Sequence, residues 1–116
     1  MRINITAGDV LNKLLVNKYQ DEYFIPFNEA MIEGKVTTRL FSKEFIKERA
    51  IVHNVSEEEY KLRLLSFLTF LDKIIMYNEV VLWFGSEPFC LENTRYVLRT
   101  LKEYWYNKKI ILNIVG

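Results

Sequence analysis

Glu79-Val80-Val81-Leu82-Trp83-Phe84-Gly85 is the stretch that decides the fold. Val80 to Phe84 is apolar without interruption, the pattern of a strand covered on both faces of a sheet, and Gly85 ends it. A strand of that kind sits in the middle of a parallel sheet, whose crossover helices cover both faces. On its carboxyl side Ser86-Glu87-Pro88 opens a helix, with Ser86 as the expected cap and proline suited to a first turn. Val97, Leu98 and Leu101 supply that helix with an inner face, and Ile110 to Val115 reads as a further strand.

On the amino side, Tyr60, Leu64, Phe67, Leu68, Leu71, Ile74 and Ile75 recur at helical spacing. Leu62, Leu65 and Phe70 widen the stripe, which predicts one long, largely buried helix. Its start is marked by a capping box, Ser56-Glu57-Glu58-Glu59, with Val55 and Tyr60 as a hydrophobic staple. Ser42 caps the preceding helix, with Phe41 and Ile46 placed as its staple. Phe27 to Leu40 shows no period and reads as a loop. Earlier still, Tyr23-Phe24-Ile25 reads as a strand ended by Pro26. Ile3 to Ala7 is a first strand running into Gly8-Asp9, where Asp9 is the expected cap of a helix with Val10, Leu11, Leu14 and Leu15 inward.

Strands alternating with helices imply right-handed crossovers and a parallel sheet. The expectation is an α/β, Rossmann-like three-layer fold: a short, mainly parallel sheet of order 2-1-3-4 with helices on both faces. With 116 residues the chain has room for a single domain, spanning residues 1–116.

Half of the residues are hydrophobic and 15% are aromatic, enough for a core. Sixteen basic and 15 acidic residues leave a formal charge of +1. A domain that works mainly on a phosphate backbone carries a larger basic excess, so nucleic acid is not expected as the main partner. Cys90, the single cysteine, excludes an internal disulfide and a cysteine-built metal site. No stretch approaches the roughly 18 apolar residues of a membrane span, and the amino terminus lacks a signal-peptide core; a cytoplasmic location is the expectation.

In an open parallel sheet the ligand site lies beyond the carboxyl ends of the strands, where the winding reverses. That places Gly8 and Asp9 after the first strand, Asn28 and Glu29 after the second, and Gly85, Ser86 and Glu87 after the third as the candidate ligand-binding residues. Asp9 and Glu87 admit two readings: carboxylates for a divalent cation or a ribose, or helix-start residues that favour the dipole. No metal site is expected. Ser86 lacks a nucleophile elbow, and His53, the only histidine, falls near the end of a helix where a partly charged imidazole is comfortable. Gly34-Lys35 with Thr37 lacks the glycine and the context of a phosphate loop. Arg95, Arg99 and Lys102 share one helix face with Glu92 and Glu103 nearby, the pattern of a solvated surface. Cys90 reads as a small buried hydrophobe. The Tyr104-Trp105-Tyr106 cluster, just before the last strand, is the candidate interaction site.

Ala7-Gly8-Asp9, Asn28-Glu29 with Glu33-Gly34, and Val81-Leu82-Trp83-Phe84 with Phe89-Cys90 occur in an order that resembles the bacterial family of domain of unknown function 1835. The resemblance covers nearly the whole chain, and Leu82-Trp83-Phe84 is its most specific part. It implies the same α/β fold, no known activity, and an amino-terminal domain whose relatives continue past Gly116. This sequence departs from the family pattern at Asn28, where an arginine is usual, and at Lys35, where proline follows the glycine. Gly85-Ser86-Glu87 replaces a Glu-His-Asp triplet. The loss of that triplet favours a binding or interaction domain, with a second copy or another domain as partner. The rival is an enzyme or nucleotide site at the strand ends using Asp9 and Glu87; a weaker one is a nucleic-acid accessory role. The cofactor is unknown.

Overall fold

The computed structural model describes residues 1–115. Four strands, β1 (Arg2–Thr6), β2 (Phe24–Pro26), β3 (Glu79–Gly85) and β4 (Lys109–Val115), form one all-parallel sheet of order β2-β1-β3-β4. Ile5 lies opposite Ile25 on one side and Leu82 on the other, and Leu82 in turn faces Leu112. The segment Val80–Phe84 is thus central, as its composition requires.

Five helices connect the strands: α1 (Asp9–Lys18), α2 (Lys43–Val52), α3 (Glu57–Arg63), α4 (Leu65–Asp72) and α5 (Pro88–Glu103). Right-handed crossovers place α1 on one face and the others opposite. The main core lies on the second face, where Ile3, Ile5, Val80, Leu82 and Phe84 meet Phe27, Phe45, Phe67, Val97 and Leu101. Phe27, Phe41, Phe67 and Phe70 stack edge to face or tilted at 4.8–6.2 Å, so aromatic packing fills the layer between sheet and helices. The other face is thinner: Leu15, Phe24 and Val81 are buried there, and Trp83 leans on Tyr19 and Phe24 while its indole N–H donates to Asn4 Oδ1 at 2.9 Å.

Several local expectations are corrected. The long helix breaks at Leu64 and again at Lys73, followed by a 3-10 turn at Ile74–Met76. No proline or glycine causes the breaks. They re-aim the chain so that Leu64, Phe67, Phe70 and Leu71 reach the core, while Leu62, Leu65 and Ile75 are left exposed at 70%, 56% and 81%. In α1 only Leu15 is buried; Val10 and Leu14 face solvent because a single helix covers that side of the sheet. Pro26 closes β2 from inside, at an edge where its missing N–H costs no ladder bond, and Tyr23 lies outside the strand.

The caps divide the same way. Ser42 accepts from the amide of Phe45 and Ser56 from that of Glu59, as expected. Asp9 and Ser86 do not cap. Gly8 occupies the α1 cap with φ +149° and ψ −178°, a conformation open essentially to glycine alone. Glu87 occupies the α5 cap but makes no side-chain bond to the helix amides.

Candidate functional site

Phe27 to Leu40 has no regular structure, yet Phe27, Glu29, Met31 and Leu40 are buried. Buried irregular backbone must find partners for its polar groups, and here side chains supply them. Asn93, wholly buried on α5, donates from Nδ2 to Glu29 O at 2.7 Å and accepts the Met31 amide at 2.9 Å. Arg49, wholly buried on α2, donates to Glu33 O at 2.7 Å and Ala30 O at 3.0 Å.

The same guanidinium grips the Glu29 carboxylate with two bonds, Nε to Oε2 at 2.9 Å and Nη2 to Oε1 at 3.0 Å. Tyr60 Oη donates to Oε2 at 2.5 Å, His53 Nε2 lies 2.5 Å from Oε1, and the Ala30 amide donates to Oε1 at 2.7 Å. Five donors therefore saturate the carboxylate. The acceptor at Oε1 places a proton on His53 Nε2 and leaves Nδ1 free of a close bond; its nearest acid, the exposed Glu33, stands 3.6 Å away. The imidazole stacks on the Tyr60 ring, 13° from parallel.

Burial pushes the Glu29 carboxyl up, but the hydrogen bonds from Arg49 and Tyr60 and the Arg49 charge outweigh it and hold it below the ordinary carboxylate range. Burial, reinforced by the Glu29 charge, pushes the Tyr60 phenol far above its ordinary value, so it stays a donor. Burial alone would lower Arg49, yet its bonds to Glu29 raise it. The result is an anchored ion pair that orients a histidine.

Beside this cluster lies an open cleft of about 300 Å³. Ala7, Phe27, Ala30 and Phe89 give it apolar walls, and Asn28, Glu29, His53, Tyr60 and Arg63 give it polar ones. It sits at the carboxyl ends of β1 and β2, between the loop and the start of α5. Asn28 Nδ2 donates to Asp9 Oδ1 at 3.1 Å and to Arg63 O at 3.3 Å, joining the α1 start to the end of α3 across the cleft rim.

Of the residues expected from sequence, Asn28 and Glu29 line the cleft, and Gly8 and Asp9 adjoin it through Asn28. Gly85 and Glu87 lie instead against Cys90, whose Sγ is 3.6 Å from Glu87 Oε2 and 3.3 Å from where a Cβ on Gly85 would stand, and Ser86 between them is exposed and lines no part of the cleft. Glu29 is the carboxylate the fold organises. Arg49, His53, Tyr60 and Asn93 are what sequence reasoning missed. One signal was present: Arg49 stands in the stripe formed by Phe45, Ile46 and Ala50, a charge at a helical position that packs inward.

In the Tyr104-Trp105-Tyr106 cluster, Tyr104 donates to Leu40 O at 3.4 Å, and Tyr106 buries its hydroxyl without a partner among the described residues. Trp105 is 86% exposed at φ +61°. On α5, Arg95 and Arg99 flank the Tyr96 ring and pair with Glu92 and Glu103. Among the described residues no three histidine, cysteine or carboxylate side chains converge as metal ligands would, and no helix is long and apolar enough to cross a membrane. No family model, no curated protein and no solved structure matches the chain.

Proposed function

We propose that this chain is a binding domain that takes a small organic ligand in the cleft at the carboxyl ends of β1 and β2. The observation that carries this reading is the wholly buried Glu29, neutralised by Arg49 and turned against His53 on the cleft wall. A buried ion pair of this kind contributes little net stability compared with an apolar core of the same shape. Its position at the edge where open parallel sheets hold ligands gives it a purpose: it presents one oriented imidazole to the cleft. His53 and Arg63 would meet the polar end of the ligand, and Phe27 and Phe89 its flat apolar part. The volume suits a molecule the size of a nucleobase or an amino acid.

The resemblance to the family of domain of unknown function 1835 is part of the same proposal and adds no activity. An enzymatic role would need a second group aimed into the cleft beside His53. Glu87 turns towards Cys90, which favours binding over catalysis.

Titration of isotopically labelled protein with nucleosides, nucleoside monophosphates and amino acids tests the reading. Shifts confined to Ala7, Asn28, Ala30, His53 and Phe89, lost in a folded His53→Ala variant, are the expected result. Saturable shifts elsewhere, or none at millimolar ligand, would overturn it.

A further inference from the structure

The sheet ends at β4, and among the described residues β4 pairs only with β3. Its other edge presents unpaired backbone donors and acceptors, the arrangement that templates strand addition. Helix α5 packs mainly on β3, so the outer part of β4 is left bare. Ile110, Leu112 and Ile114 share one face by the two-residue period and are exposed at 38%, 47% and 55%. Beside them runs a groove of about 1250 Å³ lined by Leu98, Arg99, Lys102, Trp105, Tyr106 and Ile110, among others.

We propose that the occupant of this edge is a second copy of the chain, its β4 pairing antiparallel to the first about a two-fold axis through Leu112. The strand is self-complementary about that residue. Leu112 meets its own copy, Ile110 meets Ile114, Ile111 meets Asn113, and Lys109 meets Val115. Any axis perpendicular to the sheet must pass through a residue rather than between two, because opposed residues share a face. Leu112 is the centre that matches the whole apolar row with itself.

Charge selects the same solution. Parallel, in-register pairing would oppose Lys109 to Lys109 and Lys108 to Lys108. The antiparallel pairing separates the two Lys109 residues by six strand steps, about 20 Å, which is beyond effective repulsion in physiological salt. It also lays the two α5 helices antiparallel. Glu87 and Glu92 at the start of one then run towards Arg99 and Lys102 at the end of the other. The product is one continuous sheet of eight strands with no like charges opposed at its centre.

The test is covalent. In a Cys90→Ala background, Leu112→Cys should form an intermolecular disulfide under mild oxidation. Directly opposed residues of an antiparallel pair lie about 4.5–5.5 Å apart at Cα, within disulfide range. Ile110→Cys should not, because its own counterpart lies four steps away, about 13 Å. Light scattering should give twice the chain mass of 13.9 kDa, and Leu112→Lys, with native circular dichroism, should return it to the monomer. A monomer at high micromolar concentration, or a dimer that Ile110→Cys links as readily as Leu112→Cys, would overturn the proposal.

Discussion

Removing Arg49 tests whether the Glu29 cluster holds charge in a dry place. In Arg49→Met the wholly buried carboxylate loses both guanidinium bonds, and the carbonyls of Ala30 and Glu33 lose their donor. Tyr60, His53 and the Ala30 amide still face the carboxylate, but none brings a permanent positive charge. Stranding one member of a buried pair costs about 3–5 kcal/mol. For a chain of this length that is a large share of a total stability of about 6–17 kcal/mol. With a urea dependence of about 1.5 kcal/mol per molar, the midpoint should fall by about 2–3 M. Urea titration followed by far-ultraviolet circular dichroism measures it. The loss should shrink as the pH is lowered towards 5, because without Arg49 burial favours the neutral acid and protonation removes the stranded charge. A loss below about 1 kcal/mol at neutral pH, or one unchanged by acid, would show that water already solvates the carboxylate.

Acid should act on the native protein through the same group. Glu29 is held below the ordinary carboxylate range, so its contribution is complete above about pH 4.5 and is lost as the pH falls through its depressed value; Glu29→Gln should flatten that part of the stability profile in melts between pH 2 and 6. Phe67→Ala removes the ring at the centre of the aromatic layer and should cost about 3–5 kcal/mol in denaturant melts, with Leu68→Ala, at a half-buried position, costing less. Gly34→Ala meets both a φ of +70° and the Val52 methyl carbons at 2.8 Å, and should cost about 1–3 kcal/mol, partly restored in a Val52→Ala background. Restoration to the level of Val52→Ala alone would show that contact, rather than backbone strain, sets the cost.

The sheet was legible because its evidence is local: Val80–Phe84 is uniformly apolar, α2 and α3 carry serine caps, and a parallel sheet with right-handed crossovers has few alternatives. The break at Leu64 was hidden because Leu62 and Leu65 continue the helical spacing, and only tertiary packing decides that Leu64 and Leu71 join the core while Leu62 and Leu65 stay exposed. The cleft was half legible. The switch-point rule reaches Asn28 and Glu29, since both follow a strand. It does not reach Arg49, His53 and Tyr60, which lie 20, 24 and 31 residues beyond Glu29, on α2, just past its end and on α3. Their meeting is a product of tertiary folding: the apolar stripe of α2 shows that Arg49 turns inward, but not which carboxylate it meets.

The two bonds from Asn93 give the loop a standing its lack of regular structure conceals. Because Met31 N–H ends on a wholly buried amide of α5, solvent can reach it only when the loop separates from that helix. Opening there is then part of the unfolding of the domain rather than local fraying, and the loop belongs to the same cooperative unit as the central strands. In native-state hydrogen exchange the Met31 amide should therefore persist as long as those of Val81 and Leu82, while the exposed Lys35 amide, a few residues on, exchanges at once.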